Sequence, residues 1–373
     1  MRLRAKWVLP VDAPPIENGV VEVTGDTITA VGQLAGPSRD LGDVVLLPGL
    51  INAHCHFDYT KFSIPYRDSF AGWLDDIVEL KRQQAPVDYL AGIAAGMKLA
   101  LCAGTTTVVN IECFPELITT LPASPLRVIW CPELIGWSSS KQELPAIGAG
   151  LSPHAPYTVS AELYQNCAQS GRFITTHIAE SADEDEMFRE GKGRMYDTLR
   201  NLGRDMSDCG KVGPVELLAS YGVLGKNCLA VHANCLTTRD VTLLARTGTS
   251  VVHCPKTHRY FCRAPAPIPA LLAAGVNVCL GTDSLASNDT LDMFTEMREL
   301  ARVYPDFLPS RIVEMVTTNA AKALNQFDRL GKIAEGATAD LIAVPMDGHA
   351  DPYAAVVFAE KPVTLLMING CQI

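Results

Sequence analysis

Eight apolar, strand-like runs recur along the chain, at 45–53, 105–111, 126–131, 147–152, 173–177, 228–232, 250–254 and 276–282, with helical stretches between them. No other feature limits the fold as much. Strands that alternate with helices form right-handed βα units on a parallel sheet, and eight such units fit a closed (β/α)₈ barrel of class α/β. The helices carry signals of their own: 89–103 is rich in alanine and stops at Gly104, and 291–304 opens after the capping residues Asp289 and Thr290. The connection at 132–146 is too short, and too rich in Ser, Gly and Pro, for a full helix with two loops. That unit is expected to be irregular.

The two ends have a different texture. Residues 20–23 and 27–32 flank a Gly25-Asp26 turn, which reads as a β-hairpin, and similar short strands return at 339–344 and 364–370. The ends are therefore expected to meet in one small β domain.

Composition narrows the partners. With 41 Asp and Glu against 31 Lys and Arg, the net charge is −10, and no basic patch offers itself to a phosphate backbone. No nucleic-acid partner is expected. The apolar run behind the basic N-terminus, 7–11, is too short for a signal segment, and no run reaches the length of a membrane span. Twelve cysteines lie scattered among apolar segments without a disulfide-framework spacing, which fits reduced thiols in the cytoplasm. Apolar outer helices permit a homodimer.

In such a barrel, chemistry belongs at the C-terminal ends of the strands. The first run ends in His54 and His56, which share a face because the strand period is two. The fourth ends in His154, the fifth in His177 with Glu180 after it, the sixth in His232, the seventh in His253 and the eighth in Asp283. Five of eight strands ending in histidine, from only eight histidines in the chain, is a pattern that a metal site requires. His54, His56, His177 and Asp283 supply nitrogen and oxygen ligands for one divalent ion, Zn²⁺ or Fe²⁺, with a position left for water. The ion would lower the pKa of that water from 15.7 towards ~7. Asp283 can then take its proton, His232 can orient it, and Glu180 can protonate a substrate nitrogen. His154, between prolines, and His253, beside Cys254-Pro255, fit either a ligand-facing or a loop-holding role. His258 fits a pocket or a solvent-facing turn.

Other signatures are absent: the sequence has no His-Glu-x-x-His, no Gly-x-Ser-x-Gly, no phosphate or dinucleotide glycine loop, and no Pro-Cys-x-x-Cys of the cytidine-type deaminases.

Together these residues resemble the amidohydrolase superfamily, in its branch of mononuclear-metal deaminases and triazine or chlorohydrolase-like enzymes. The resemblance rests on Pro48-Gly49-Leu50-Ile51-Asn52-Ala53-His54-Cys55-His56, Ser152-Pro153-His154-Ala155-Pro156-Tyr157, Thr176-His177-Ile178-Ala179-Glu180, Val231-His232-Ala233 and Gly281-Thr282-Asp283-Ser284, in that order, with a return motif at 331–341. It implies a distorted (β/α)₈ barrel over 47–331 and a composite β-sandwich from 1–46 plus 332–373. The ligands it implies are His54, His56, His177 and Asp283, with Glu180 and His232 as catalytic partners. The lack of a lysine at the end of the fourth strand favours a single ion, Zn²⁺ before Fe²⁺. The implied reaction is hydrolytic deamination of a purine-, pterin- or triazine-like heterocycle or its nucleoside, and substrate binding falls to Trp73, Glu79, His154 and His258. Trp73 and His154 resemble branch members acting on S-adenosylhomocysteine or methylthioadenosine. The loop Cys254-Pro255-Lys256-Thr257-His258-Arg259 departs from their Cys-Pro-x-Ser-Asn. That loop and 69–74 are similar to aminodeoxyfutalosine deaminases. Hydrolysis of a cyclic amide or a chlorinated heterocycle is a second expectation for the same site. A non-catalytic metal-binding scaffold would show a broken residue set, whereas all six residues are present.

Overall fold

The computed structural model describes residues 1–62, 64–65, 69–137 and 143–373. Eight parallel strands run in sequence order: β1 (Leu50–His56), β2 (Thr105–Glu112), β3 (Arg127–Leu134), β4 (Gly150–Pro153), β5 (Phe173–Ile178), β6 (Cys228–His232), β7 (Ser250–His253) and β8 (Val278–Leu280). Each pairs with the next. Every residue of β1 and β2 is buried, because helices cover the outside of the ring and side chains fill the inside.

The ring closes through a break. β8 pairs with β7; after Gly281 and Thr282 the chain resumes as Asp283–Ser284, which pairs with β1. Asn52 and Thr282 seal this seam reciprocally: Asn52 Nδ2 donates to Thr282 Oγ1 at 2.8 Å, and Thr282 N donates to Asn52 Oδ1 at 3.1 Å. A Cβ on Gly281 would lie 2.8 Å from the His54 carbonyl oxygen, so only glycine allows the approach.

The apolar run that begins at 45 is two strands. Val44–Pro48 pairs with Leu341–Pro345 in a six-stranded sheet built from both chain ends, and β1 starts after Gly49. Gly49 is needed because a Cβ there would sit 2.2 Å from Thr106 Cγ2. A second sheet of four strands comes from the N-terminal 40 residues, and Leu3, Val21, Ile28, Leu46, Leu341 and Met367 belong to one apolar cluster between these elements.

On the outside, α1 (Phe70–Arg82) is capped by Ser69, whose Oγ accepts from Gly72 N at 3.0 Å. Next, α2 (Pro86–Cys102) runs back to β2. Between β3 and β4 no helix forms among the described residues, as the Ser-Gly-Pro composition predicts; 138–142 lie outside them. All twelve cysteines are unpaired. Among the described residues, no single helix is long and apolar enough to cross a membrane.

Candidate metal centre and catalytic cavity

Three strand ends leave the extended conformation where functional groups begin. Ala179, ahead of Glu180, has φ 49°; His232 has 72°, Ala233 49° and Asp283 58°. Left-handed backbone at non-glycine residues costs about 1–3 kcal/mol each and is held only where the surroundings dictate it. The strand ends that adopt it carry Glu180, His232 and Asp283, which line one cavity.

His54, His56 and His177 converge, with one nitrogen from each lying within 4.8 Å of the others. Asp283 Oδ1 is 3.7 Å from His54 Nε2 and 3.8 Å from His56 Nε2. The carboxylate is braced by Ser284 N at 2.8 Å and Ser287 Oγ at 3.1 Å. His177 Nδ1 meets the His154 carbonyl at 2.9 Å, which fixes that nitrogen as the donor and leaves Nε2 basic. By contrast, both nitrogens of His54 and Nδ1 of His56 are buried without a hydrogen-bond partner. Each such group costs about 1–3 kcal/mol. Burial lowers the His54 and His56 pKa values, keeping both rings neutral, while Asp283 goes the other way: burial pushes it up, but His54 and His232 outweigh that and hold it well below the usual carboxylate range. Three imidazoles and one carboxylate are the donor set that a borderline divalent cation takes, and an ion would take up one of the orphaned nitrogens of His54.

Beside this cluster stands an acid and base pair. His232 Nε2 lies 3.7 Å from Glu180 Oε1 and 3.9 Å from Asp283 Oδ2, bridging the two carboxyls. Glu180 is fixed through its backbone: its N donates to Glu184 Oε2 at 2.7 Å, and its carbonyl accepts from Asn234 Nδ2 at 3.0 Å. Burial raises the Glu180 pKa, with Arg263 pulling against it.

Known proteins are similar to this chain in sequence and fold. The amidohydrolase family model matches residues 139–373. A 5-methylthioadenosine/S-adenosylhomocysteine deaminase of Moorella thermoacetica is 30% identical, over 97% of this chain and 91% of its own length. The chain belongs to the amidohydrolase family. Among solved structures, an adenosine deaminase from Xanthomonas campestris with bound zinc superposes with a TM-score of 0.83 at 26% identity, covering 100% of this chain and 92% of that one. An aminofutalosine deaminase of Helicobacter pylori, in complex with methylthio-coformycin, shares the fold with a TM-score of 0.88 at 21% identity, covering 100% and 99%.

The cavity of this amidohydrolase has a reactive wall, with His56, His177, Glu180, His232 and Asp283, and an outer wall from Phe70, Trp73, Leu74, Ile77 and Tyr157. Trp73 Nε1 donates to the Ala286 carbonyl at 3.4 Å, and its ring meets Phe261 edge-on at 5.1 Å. Between the walls sit Lys81 and Glu133, 3.7 Å apart. Glu133 Oε2 also accepts from Cys113 Sγ at 2.9 Å. Burial pushes Glu133 up, but Lys81 overcomes it and holds the carboxyl well below its usual range.

Trp73 and His154 line the cavity; the latter's Nδ1 is 2.7 Å from Thr158 Oγ1, and burial pushes its pKa down to about 3. Glu79 does not reach the cavity. It is exposed on the far face of α1, where it accepts from Gln83 Nε2 at 3.0 Å and faces Arg82. Trp73, Ile77 and Lys81, spaced four apart, form the inner face instead, a signal present in the sequence. His258 bonds to the Ala264 carbonyl and lines a neighbouring cavity with His253, away from the metal ligands. Three charged positions at the cavity or beside Glu180 are not among those the sequence points to: Lys81, Glu133 and Arg263. Glu133 is a carboxylate at the end of an apolar strand, where β3 runs on past Pro132.

Proposed function

We propose that this amidohydrolase is a zinc-dependent hydrolytic deaminase of an aminated N-heterocycle, with adenosine-type nucleosides as the substrate class. One observation carries the reading: Glu180, His232 and Asp283 form a continuous chain of acid–base groups along one wall, next to three converging imidazoles. His54, His56, His177 and Asp283 would hold the ion, which supplies an acidified water when bound. Around it the chain's own residues divide the work. Asp283 takes a proton from the attacking water, and His232 keeps that water oriented. Glu180 delivers a proton to the ring nitrogen beside the amine-bearing carbon. The water oxygen bonds to that carbon; Asp283 passes the proton it took to the amine, which leaves as ammonia as the carbon–nitrogen bond breaks, and the second proton of the water returns to Glu180 as the carbonyl forms.

The outer wall supports a nucleoside. Phe70 and Trp73 offer apolar faces to a ring, while Glu133 and Lys81 offer an acceptor and a donor for sugar hydroxyls. The deaminase names of the Moorella and Xanthomonas relatives point the same way. Aminodeoxyfutalosine is the second substrate reading, favoured by the Phe70 and Trp73 pair in the stretch that resembles those enzymes.

The experiment is an ammonia-release assay of zinc-loaded protein against adenine, adenosine, 5′-deoxyadenosine, methylthioadenosine, S-adenosylhomocysteine, aminodeoxyfutalosine, pterin and triazine amines. Ammonia from at least one is expected. Ring opening of a cyclic amide or chloride release, with no ammonia from any amine, would overturn the deaminase reading. In Glu180→Gln, kcat is expected to fall about 10²–10⁴-fold with zinc content unchanged.

A further inference from the structure

Glu180 has two oxygens, and the protein treats them differently. Oε1 accepts from Arg263 Nη2 at 3.0 Å and lies 3.7 Å from His232 Nε2. Oε2 has no hydrogen-bond partner among the described residues, and Glu180 itself lines the cavity. The contact is monodentate, although a guanidinium can grip both oxygens of a carboxylate. Arg263 is prevented from shifting by its own packing. It follows the left-handed Cys262 (φ 52°), and its guanidinium carbon lies 4.4 Å from the centre of the Phe261 ring and 5.1 Å from that of Phe70. Its Nη1 is buried and unpartnered, so the guanidinium keeps this pose at the expense of one donor.

We propose that Arg263 is a positioning residue for the deamination: by tethering Oε1, it makes Oε2 the oxygen that carries the proton to the substrate. A guanidinium has donors and no acceptor, so the oxygen facing it cannot direct a proton towards it. The acid proton of Glu180 then sits on the other oxygen. Arg263 never touches the substrate in this account. It acts through Glu180, and the inference rests on the deaminase reading above.

Arg263→Ala, Arg263→Gln and Arg263→Lys test it together, assayed with whichever substrate the wild-type protein deaminates. A general acid works only while protonated, so kcat falls as pH rises through its pKa. Removing a neighbouring cation raises that pKa, and the basic limb of the kcat–pH profile is expected to move to higher pH in the Ala and Gln variants. Below that limb, kcat is expected to drop about 10–100-fold in Arg263→Ala, as for a misplaced catalytic group, with KM changed less than about threefold. Added guanidinium ion should restore part of kcat to Arg263→Ala, and Arg263→Lys, which keeps the charge without the fork, should fall between. Zinc content and melting temperature are read alongside. If the variants hold zinc and melt like wild type while the limb stays in place and guanidinium rescues nothing, the positioning role is wrong. A rise in KM alone would overturn it too. If Arg263→Ala does not fold, the Gln and Lys profiles decide. Absence of ammonia release by the wild-type protein overturns the deaminase reading and this inference with it, whereas an active wild type with an unmoved limb overturns this inference alone.

Discussion

The two ends of the barrel are built on opposite rules. At the end where the strands begin, Arg127 opens β3 and bonds to Asp340, to Thr107 Oγ1 at 3.1 Å and to Asn369. Asp340 accepts in turn from Asn369 N at 2.8 Å, and its carbonyl takes Gly49 N at 2.9 Å. This knot ties the ring to the sheets made by the chain ends. Where the strands finish, polar groups are more deeply buried and several go unsatisfied: His54, His56, Glu184 and Arg263 each keep an unpartnered atom, and His232 and Asp283 have left-handed backbone. One end spends its polar groups on holding the fold. The other keeps them available for an ion and a substrate, which is how an active site comes to be less stable than its scaffold.

The sharpest way to break this contrast is His54→Ala. Zinc is expected to fall from about one ion per chain to none, and turnover by at least ~10³-fold, on the order of 4 kcal/mol. The metal-free melting temperature should change little, since neither nitrogen of His54 has a hydrogen-bond partner to lose, only its 3.7 Å approach to Asp283. Elemental analysis and calorimetry check both, and a large fall in metal-free melting temperature would mean the rim is as load-carrying as the base. Arg127→Ala is the converse. It should lower stability by about 2–3 kcal/mol, the worth of hydrogen bonds to a charged group, and leave kcat within about twofold; denaturant unfolding and turnover separate the two. The smallest effect is a pH slope. Burial, with His258 and Arg263 adding to it, pushes His253 down to about 3, so the folded state stays neutral while the unfolded imidazole protonates below about 6.5. The unfolded state then binds more protons, and metal-free stability should decline as pH falls from about 6.5 towards 3. Melting scans across that range should be flatter in His253→Asn. An unchanged slope would show that other groups set it.

The same contrast explains what could be read without coordinates. His54, His56, His177, His232 and Asp283 were legible because each sits where an apolar strand stops, and a parallel barrel brings such positions to one rim. The passage from the chain-end sheet into β1 was not legible: apolar residues continue across Gly49, since both strands are buried, and hydropathy does not tell one sheet from the other. Lys81 was within reach through helical spacing from Trp73, whereas Glu79, the acid expected to hold the substrate, fell on the solvent face. Arg263 lies in a loop with neither period nor motif, and only the fold reveals that it meets Glu180.

The broken eighth strand has a consequence for how the protein is made. The seam between Asn52 and Thr282 joins residues 230 positions apart, and Asp283 stands next to it. A chain emerging from the ribosome displays His54 and His56 early and His177 midway, but lacks Asp283, the proposed fourth ligand, until the last quarter is translated. On that proposal, ring closure and completion of the metal centre are one event, late in synthesis, and an ion that reached the nascent chain earlier would meet only the histidines.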